Sequence, residues 1–170
     1  ETISHNLWKK LVEGHDKVLP ADFNYRYRGS PAVYTLKGLI DELNLESTVA
    51  ELQKEMRQLE DEIYATQSPN LIKGVEKLIK HFDKHNIPMA IGTSSSKRQA
   101  ELKMRNHMNT FQFINHVVTS DDVLIGKPNP QVYLLAAQKF PARPKPSSCL
   151  VFEDAPNGLK AAVAANMQCV

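Results

Sequence analysis

The sequence has 170 residues, of which 42% are hydrophobic, and its 21 basic side chains nearly balance 19 acidic ones. This length suits one ordinary domain, or a domain with an insertion, around a hydrophobic core. The net charge of +2 and the lack of a basic run give no indication of nucleic-acid binding. No apolar run reaches membrane-spanning length. The two cysteines, Cys149 and Cys169, lie in apolar runs and are expected to be buried, reduced thiols of a cytoplasmic protein.

The first part of the sequence predicts helices alone. Apolar residues at helical spacing predict amphipathic helices at about 2–15, 31–43 and 49–67. Ser30 is the expected N-cap of the second helix, and Ser47 or Thr48 that of the third. The segment 23–28 is interpreted as an aromatic and basic connector. Residues 1–68 are therefore predicted to form an all-helical unit.

The character of the sequence changes at Asn70, where short apolar runs begin to alternate with helical patterns. Strands are predicted at about 87–91, 113–118, 149–152 and 167–170, with helices at about 72–86, 97–108, 130–140 and 156–165. The run 149–152 is expected to be buried, and Asn166 is expected to end its helix in a left-handed conformation. Such alternation predicts an α/β domain with a parallel sheet over residues 69–170.

Three polar clusters follow predicted strands: Thr93–Ser95, Lys127, and the pair Glu153 and Asp154. Because parallel strands point the same way, we expect these clusters to converge at one edge of the sheet. Hydroxyls and backbone N–H groups at a helix start can hold phosphate oxygens, and a lysine is a compact positive charge for the same oxygens. Paired carboxylates can hold magnesium together with substrate phosphate. Together the clusters predict phosphoryl-transfer chemistry.

Each cluster also has a simpler interpretation. Thr93–Ser96 can be a helix N-cap alone, and Lys127 can be a solvated loop residue. The pair Glu153–Asp154 can be a solvated helix start, where negative charge is favourable. Only the occurrence of all three clusters in one sheet favours the functional interpretation.

Two further patterns are weaker. Gly126–Lys127 does not complete a nucleotide-binding P-loop, because Asp121 stands where that loop requires its first glycine. His81 and His85 have the spacing of a metal-binding pair on a helix, but no carboxylate partner is evident near them in sequence. We expect neither pattern to be functional.

The segments 87–95, 126–130 and 151–158 resemble motifs two, three and four of the haloacid dehalogenase (HAD) superfamily, in order and in spacing. They are most similar to the branch that carries a helical cap after motif one. That branch includes pseudouridine-5′-phosphatases, glycerol-phosphate phosphatases and β-phosphoglucomutase. The resemblance implies a HAD-like, doubly wound parallel sheet (a Rossmannoid fold) with a helical cap at 1–68. It also implies a Mg²⁺-dependent phosphatase that acts through an aspartyl-phosphate, with a sugar-phosphate mutase as the alternative.

The resemblance assigns roles to the first two clusters and to the cap. Thr93 would hold the transferring phosphoryl group, and Ser94 and Ser95 would bind the substrate. Lys127 would neutralise that group and the nucleophile. Arg28, in the segment before the second cap helix, would reach the substrate and contribute to specificity.

The resemblance also implies the cofactor and the partners. Asp154 would ligate Mg²⁺, with Glu153 assisting it directly or from behind. The implied partner is a small-molecule phosphomonoester, with pseudouridine 5′-phosphate favoured among nucleoside and sugar phosphates. Neither nucleic acid nor a membrane is implied, and members of the branch are expected to be monomers.

The sequence departs from the family at motif one, because no Asp-x-Asp occurs in it. We therefore expect a fragment that lacks the first strand and the chain end, with no phosphatase activity of its own. The alternative is a non-catalytic isoform or paralogue that binds phosphate or a partner. A missing central strand would leave the backbone of both neighbouring strands unpaired, so we also expect the fragment to fold poorly alone.

Overall fold

Four helices make up the chain up to Pro69 in the computed structural model, which describes residues 2–170, except for the side chain of Thr2. They are α1 (Thr2–Glu13), α2 (Phe23–Tyr27), α3 (Ala32–Leu43) and α4 (Val49–Thr66). Helix α4 packs against both α1 and α3. Their shared core contains the large buried side chains Leu7, Leu11, Val12, Leu36, Leu39, Leu52, Met56 and Ile63. This helical unit ends at Pro69, and a second compact unit runs from Asn70 to Val170.

Of the two predicted helix N-caps, the one at Thr48 is present and the one at Ser30 is not. Thr48 caps α4 with a capping box, because its Oγ1 accepts from Glu51 N at 3.3 Å while Glu51 Oε2 accepts from Thr48 N at 2.8 Å. The prediction that Ser30 caps α3 was wrong, since the N-cap position is Pro31 and makes no side-chain cap bond. The Ser30 N–H instead bonds to Tyr27 O at 3.0 Å, so Ser30 closes the preceding turn.

The segment predicted as a connector contains the short helix α2. Phe23 is buried, and its ring lies 5.5 Å from Trp8 and 5.2 Å from Tyr27, measured between centroids. Gly38 of α3 makes room for Tyr27, since a Cβ at Gly38 would overlap the tyrosine hydroxyl. These tertiary ring contacts, rather than apolar spacing within the segment, stabilise this helix.

The second unit alternates helices and short parallel strands. Its helices are α5 (Val75–Lys84), α6 (Lys97–Met104), α7 (Met108–Phe111), α8 (Gln131–Gln138) and α9 (Pro156–Ala164). Its strands are β1 (Ala90–Gly92), β2 (His116–Val118), β3 (Leu150–Val151) and β4 (Gln168–Cys169). Among residues 2–170, the strands form two separate parallel pairs, β1–β2 and β3–β4. Ala90 is in register with His116, and Leu150 with Gln168.

The strands are shorter than their apolar runs. Ile87 N–H bonds to Phe82 O at the end of α5, and Met89 N–H bonds to the Asn115 side chain. Asn115 N–H bonds to Met89 O at 2.9 Å, and the register pairs of β1 with β2 begin at Ala90. The prediction that the run 149–152 is fully buried was wrong, because Leu150 is 48% and Phe152 is 52% exposed. Among residues 2–170, β3 is bonded to β4 and to no other strand.

The core of the α/β unit is built mainly from small side chains. Its buried cluster contains Val118, Val132, Tyr133, Ala136, Ala137, Ala161, Ala162, Ala165 and Met167. The alanines let α8 and α9 approach each other and the strands closely. Cys149 and Cys169 are free thiols that pack against this cluster and are half-buried rather than fully buried. Asn166 ends α9 with a φ of 56°, as predicted.

Within residues 2–170, no helix combines the length and apolar character that crossing a membrane requires.

Candidate functional site

A buried ion pair joins two of the clusters predicted from the sequence. Lys127 Nζ lies 2.6 Å from Glu153 Oε2, and the two side chains are only 8% and 10% exposed. Lys127 lies in the segment before α8, and Glu153 is the second residue after β3. Buried charges occur in proteins when they are paired and hydrogen-bonded, and removing one partner of such a pair is strongly destabilising. The structure therefore holds both groups where a charge is otherwise unfavourable.

The Glu153 carboxylate accepts hydrogen bonds at both of its oxygens. Oε2 accepts from Lys127 Nζ at 2.6 Å and from the Tyr133 hydroxyl at 2.5 Å. Oε1 accepts from the backbone N–H groups of Asp154 and Ala155, at 3.1 and 3.0 Å. The second set lies at the start of α9, where a carboxylate is favourable. Glu153 thus connects Lys127, Tyr133 and the first turn of α9.

Two glycines leave the space that this arrangement occupies. A Cβ on Gly158, in the first turns of α9, would overlap the carboxylate of Glu153. A Cβ on Gly92, the last residue of β1, would lie 3.0 and 3.1 Å from two ring carbons of Tyr133. Both backbones therefore approach the cluster more closely than a residue with a side chain allows without a shift.

The surroundings shift the pKa values of Glu153 and Tyr133 in opposite directions. Burial opposes ionisation of Glu153 and is the largest single influence, but the hydrogen bonds from Lys127, Tyr133 and the Ala155 backbone and the charge of Lys127 together outweigh it. The pKa of Glu153 is therefore below its usual value. Burial, followed by the hydrogen bond to Glu153, strongly raises the pKa of Tyr133. Glu153 is thus an acceptor and Tyr133 a protonated donor at neutral pH.

The turn 126–130 presents Lys127 to this cluster. The Lys127–Pro128 peptide is cis, and the Asn129 side chain accepts from Gln131 N at 3.0 Å at the start of α8. The Gln131 side chain in turn accepts from the backbone N–H groups of Leu124 and Ile125, both at 3.0 Å. The ammonium of Lys127 lies 4.5 Å from the centroid of the Tyr133 ring. Local hydrogen bonds therefore fix the backbone on both sides of the lysine.

The loop Thr93–Ser96 links β1 to α6. Thr93 N–H bonds to Val118 O at 2.9 Å and extends the pairing of β1 with β2. Thr93 Oγ1 accepts from Ser95 N at 3.1 Å, which leaves its hydroxyl proton able to donate. Ser96 caps α6 in a capping box with Gln99. The N-cap interpretation of this loop is therefore correct for Ser96, and it is compatible with a phosphate-binding role for Thr93.

Neighbouring residues fix this loop in place. Ser95 O accepts from Ser120 N at 3.0 Å, and Lys97 N donates to the Asp121 side chain at 2.9 Å. Lys103 Nζ donates to Ser95 Oγ at 2.8 Å from the next turns of α6. A second lysine thus lies at the loop, in contact with one of the predicted substrate-binding hydroxyls.

The predicted Mg²⁺ site depends on the carboxylates of Glu153 and Asp154. Among residues 2–170, no three His, Cys, Asp or Glu side chains are grouped as ligands for a metal ion. Both oxygens of Glu153 accept hydrogen bonds, whereas Asp154 is exposed. Magnesium is commonly held by one or two carboxylates together with substrate phosphate oxygens. Asp154 therefore fits as a single protein carboxylate for Mg²⁺.

The remaining candidates are Arg28 and the pair His81 and His85. Arg28 is an exposed residue of the helical unit, after the end of α2. His81 and His85 are exposed on α5 with their ring centroids 4.5 Å apart. With no third His, Cys, Asp or Glu grouped with them among residues 2–170, the histidine pair has no support as a metal site.

Sequence reasoning did not select Tyr133, Gly92, Gly158 or Lys103 as site residues. Tyr133 lies among apolar residues of α8, where a tyrosine resembles any other core residue. Its one distinguishing signal is its position, in the first turn of the helix that follows Gly126–Pro130. The two glycines carry no signal of their own, because their role depends on side chains distant in sequence.

Comparison with known proteins gives a family match over nearly the whole chain. A family model described as haloacid dehalogenase-like hydrolase matches residues 4–166. This range includes Thr93, Lys127, Glu153 and Asp154, and it also covers most of the helical unit.

Individual relatives agree with this match. A protein of Drosophila melanogaster described as probable pseudouridine-5′-phosphatase is 34% identical over 163 residues, covering 94% of this chain and 70% of the relative. (DL)-glycerol-3-phosphatase 2 of Arabidopsis thaliana is 38% identical over 136 residues, covering 78% of this chain and 54% of the relative. The crystal structure of a β-phosphoglucomutase from Clostridium difficile superposes with a TM-score of 0.81 at 21% identity, covering 99% of this chain and 76% of the other. At that identity the superposition supports the fold alone.

Proposed function

The chain belongs to the haloacid dehalogenase-like hydrolases, as its three motifs predicted, and from this premise we propose that it binds a small phosphomonoester at the cluster around Lys127. The observation that carries the proposal is the buried Lys127–Glu153 pair, whose partner Tyr133 packs against Gly92, the residue before the Thr93–Ser96 loop. A positive charge in a site of low water content attracts phosphate oxygens more strongly than an exposed one does. The superposed β-phosphoglucomutase structure has the same fold as this chain.

Each residue of the site would have its own role in binding the phosphate group. Lys127 would neutralise charge on the phosphoryl group, since phosphoryl transfer depends mainly on positioning and charge neutralisation. Thr93 would donate its hydroxyl proton to a phosphate oxygen, because Thr93 Oγ1 already accepts from Ser95 N and its proton is left to donate. Ser94 and Ser95 would bind further substrate oxygens, and Lys103 would keep the Ser95 hydroxyl in position.

We propose that Asp154 is the carboxylate of this segment that holds Mg²⁺. The ion, when bound, would neutralise phosphate oxygens that Lys127 does not reach. Glu153 would support the site through its bonds to Lys127 and to the Asp154 backbone, rather than as a ligand. This selects the second of the two roles that the resemblance allows for Glu153.

In the haloacid dehalogenase family the first motif supplies the nucleophile. A covalent aspartyl-phosphate requires a carboxylate in the position of the family's first motif, and the 170 residues contain no Asp-x-Asp. We therefore propose that these 170 residues alone bind phosphate but do not hydrolyse phosphomonoesters. This observation specifically favours the second candidate function, a non-catalytic phosphate-binding chain, for the sequence as it stands. It does not bear on a longer protein that contains this sequence.

For the substrate we propose pseudouridine 5′-phosphate or a similar nucleoside or sugar phosphate. Support comes from the Drosophila relative, whose description names that activity, and the Arabidopsis relative extends the class to glycerol phosphate. We propose Arg28 of the helical unit as a specificity contact, a role that rests on the family resemblance. A monomeric state and a cytoplasmic location are proposed on the same basis.

Titration calorimetry with inorganic phosphate and Mg²⁺ tests the proposal on the 170-residue chain. The double variant Lys127→Met/Glu153→Gln removes both charges together, so that neither is left buried alone. We expect it to weaken phosphate binding at least about tenfold, because one strong charge-assisted contact is lost. Lys160→Met, at an exposed lysine of α9, is the matched control and should bind normally.

Two results would contradict the proposal. One is a wild-type chain that does not bind phosphate at millimolar concentration, and the other is normal phosphate binding by the double variant. Release of phosphate from pseudouridine 5′-phosphate should remain at background for the 170-residue chain. Robust turnover that follows the purified chain would overturn the proposed lack of catalysis.

A further inference from the structure

We propose that Tyr133 is a positioning residue, which holds Glu153 turned towards Lys127 and so fixes where the lysine ammonium lies. Its meaning for phosphate binding rests on the proposed function, but the positioning itself does not. The simpler alternative is that Tyr133 only fills space in the core of the α/β unit, where it is 7% exposed. The contacts of its hydroxyl and of its ring distinguish the two.

The hydroxyl contact is the first argument. The Tyr133 O–H donates to Glu153 Oε2 at 2.5 Å, and the same oxygen accepts from Lys127 at 2.6 Å. Two donors on one oxygen fix the rotation of the carboxylate, while the backbone N–H groups of Asp154 and Ala155 fix its other oxygen. Without the hydroxyl, only Lys127 would hold Oε2, and its ammonium sits on a flexible stem.

The ring contact is the second argument. The lysine ammonium lies 4.5 Å from the Tyr133 ring centroid, within the range of a cation–π interaction. The ammonium therefore has two fixed neighbours, the carboxylate oxygen and the ring, and one residue controls both. A phenylalanine would keep the ring and lose the hydroxyl, which separates the two contributions.

The surroundings of the ring are the third argument. Gly92 brings the backbone at the end of β1 against one side of the ring, directly before Thr93. The hydroxyl at the far end of the same ring reaches Glu153, which follows β3. Tyr133 thus spans the distance between the ends of the two strand pairs. Its position relates the start of the Thr93–Ser96 loop to the lysine that would act on the same phosphate.

The test is the ammonium signal of Lys127 in nuclear magnetic resonance spectra of the ¹⁵N-lysine-labelled chain. Hydrogens of a buried, paired ammonium exchange slowly with water, and Lys127→Arg identifies the signal by removing it while keeping the charge. We expect Tyr133→Phe to accelerate this exchange about tenfold, as for loss of a hydrogen bond to a charged group. Tyr25→Phe, at a tyrosine that is 86% exposed, makes the same chemical change and should leave the signal unaltered.

A general loosening of the unit must be separated from a local effect, and Lys103 provides the reference. Its ammonium is bonded to Ser95 in the same unit, so its exchange should stay unchanged in Tyr133→Phe. An unchanged Lys127 signal in Tyr133→Phe would overturn the proposal, and so would equal acceleration at both lysines.

Gly92→Ala is the second variant and moves the ring without removing the hydroxyl. Its Cβ would press on ring carbons 3.0 and 3.1 Å away, so we expect faster exchange at Lys127 but a smaller increase than in Tyr133→Phe. An unaltered rate in a folded Gly92→Ala chain would count against the role of the ring. None of these measurements requires phosphate or magnesium, so failure of phosphate binding would overturn the proposed function and leave this inference standing.

Discussion

The helical unit buries mainly large aliphatic side chains, with Thr35 and Glu60 as its buried polar residues, whereas the α/β unit buries many alanines and the Lys127–Glu153 pair. Leu39 and Leu52 are 0% exposed in the first unit, and Ala161 and Ala162 are 0% exposed in the second. The second unit also keeps Lys127 almost entirely out of water. The first unit is organised by apolar volume, and the second by room left for polar contacts. Substitutions should therefore destabilise the two units for different physical reasons.

The chain carries a natural probe in each unit. Its single tryptophan, Trp8, lies in the helical unit against Phe23. Its two cysteines, Cys149 and Cys169, are free thiols of the α/β unit. Tryptophan fluorescence and thiol reactivity can therefore report on the two units separately.

The largest effect is expected from Leu39→Ala in the helical unit. Truncation of a fully buried leucine removes apolar contact and leaves a cavity, which should lower the free energy of unfolding by about 2–5 kcal/mol. Urea unfolding followed by Trp8 fluorescence measures it. Val18→Ala in the same unit is the control, since that valine is 83% exposed and the change should stay within about 0.5 kcal/mol. Equal effects of the two substitutions would remove the basis of the comparison.

An intermediate effect is expected from Gly158→Ala in the α/β unit. Helix propensity alone favours alanine over glycine by about 1 kcal/mol, so this substitution in α9 should stabilise if nothing else changed. The new Cβ would overlap the Glu153 carboxylate, which four hydrogen bonds hold in place. We therefore expect a net loss of about 1–3 kcal/mol, as for other overpacked sites. Faster reaction of Cys149 and Cys169 with a thiol reagent during urea unfolding measures it.

The two substitutions Lys160→Ala and Lys160→Gly give the reference for Gly158→Ala. Lys160 is exposed on the same helix, so the difference between its two variants measures helix propensity in α9 without a steric contribution. A stabilised Gly158→Ala chain, by an amount equal to that difference, would show that the carboxylate moves aside without cost.

The same contrast explains how much of the fold the sequence predicted. The apolar spacing of α1, α3 and α4 was sufficient, because a helix that buries one face carries that face in its own sequence. Helix α2 was missed because its stability comes from ring contacts with Trp8 and Tyr27, which local spacing does not show. The strand at 87–91 was placed too early, because Ile87 N–H bonds back to Phe82 O of α5 and Met89 N–H bonds to the Asn115 side chain rather than to a strand backbone.

Prediction of the site depended on topology more than on composition. The convergence of strand ends led to Lys127, Glu153 and Asp154 as one group, and the structure pairs the first two at 2.6 Å. The sequence could not show that both carboxylate oxygens of Glu153 accept hydrogen bonds, because the donor Tyr133 is 20 residues away on a helix. The assignment of catalytic, substrate and metal roles to these residues stays a prediction.

The smallest effect concerns a solvent-exposed helix cap and its dependence on pH. Hydrogen bonds from the backbone and then the side chain of Thr48 lower the pKa of Glu51, at the start of α4. A carboxyl whose pKa is lower in the folded chain stabilises the fold above its unfolded pKa, and this contribution disappears as the pH falls through the folded pKa. Glu51→Gln keeps a capping oxygen and removes the charge, so it should be slightly less stable than the wild type at pH 7.

The difference between wild type and Glu51→Gln should then shrink towards zero on acidification. Urea unfolding followed by Trp8 fluorescence between pH 7 and about pH 3 measures it, since Trp8 and α4 belong to the same unit. Glu62→Gln, on the exposed face near the other end of α4, makes the same change of charge without a cap and serves as the control. If both variants show the same pH dependence, net charge rather than the Thr48 cap governs it. A difference confined to Glu51→Gln would show that even the unit organised by apolar volume depends on one charge-assisted contact to begin its longest helix.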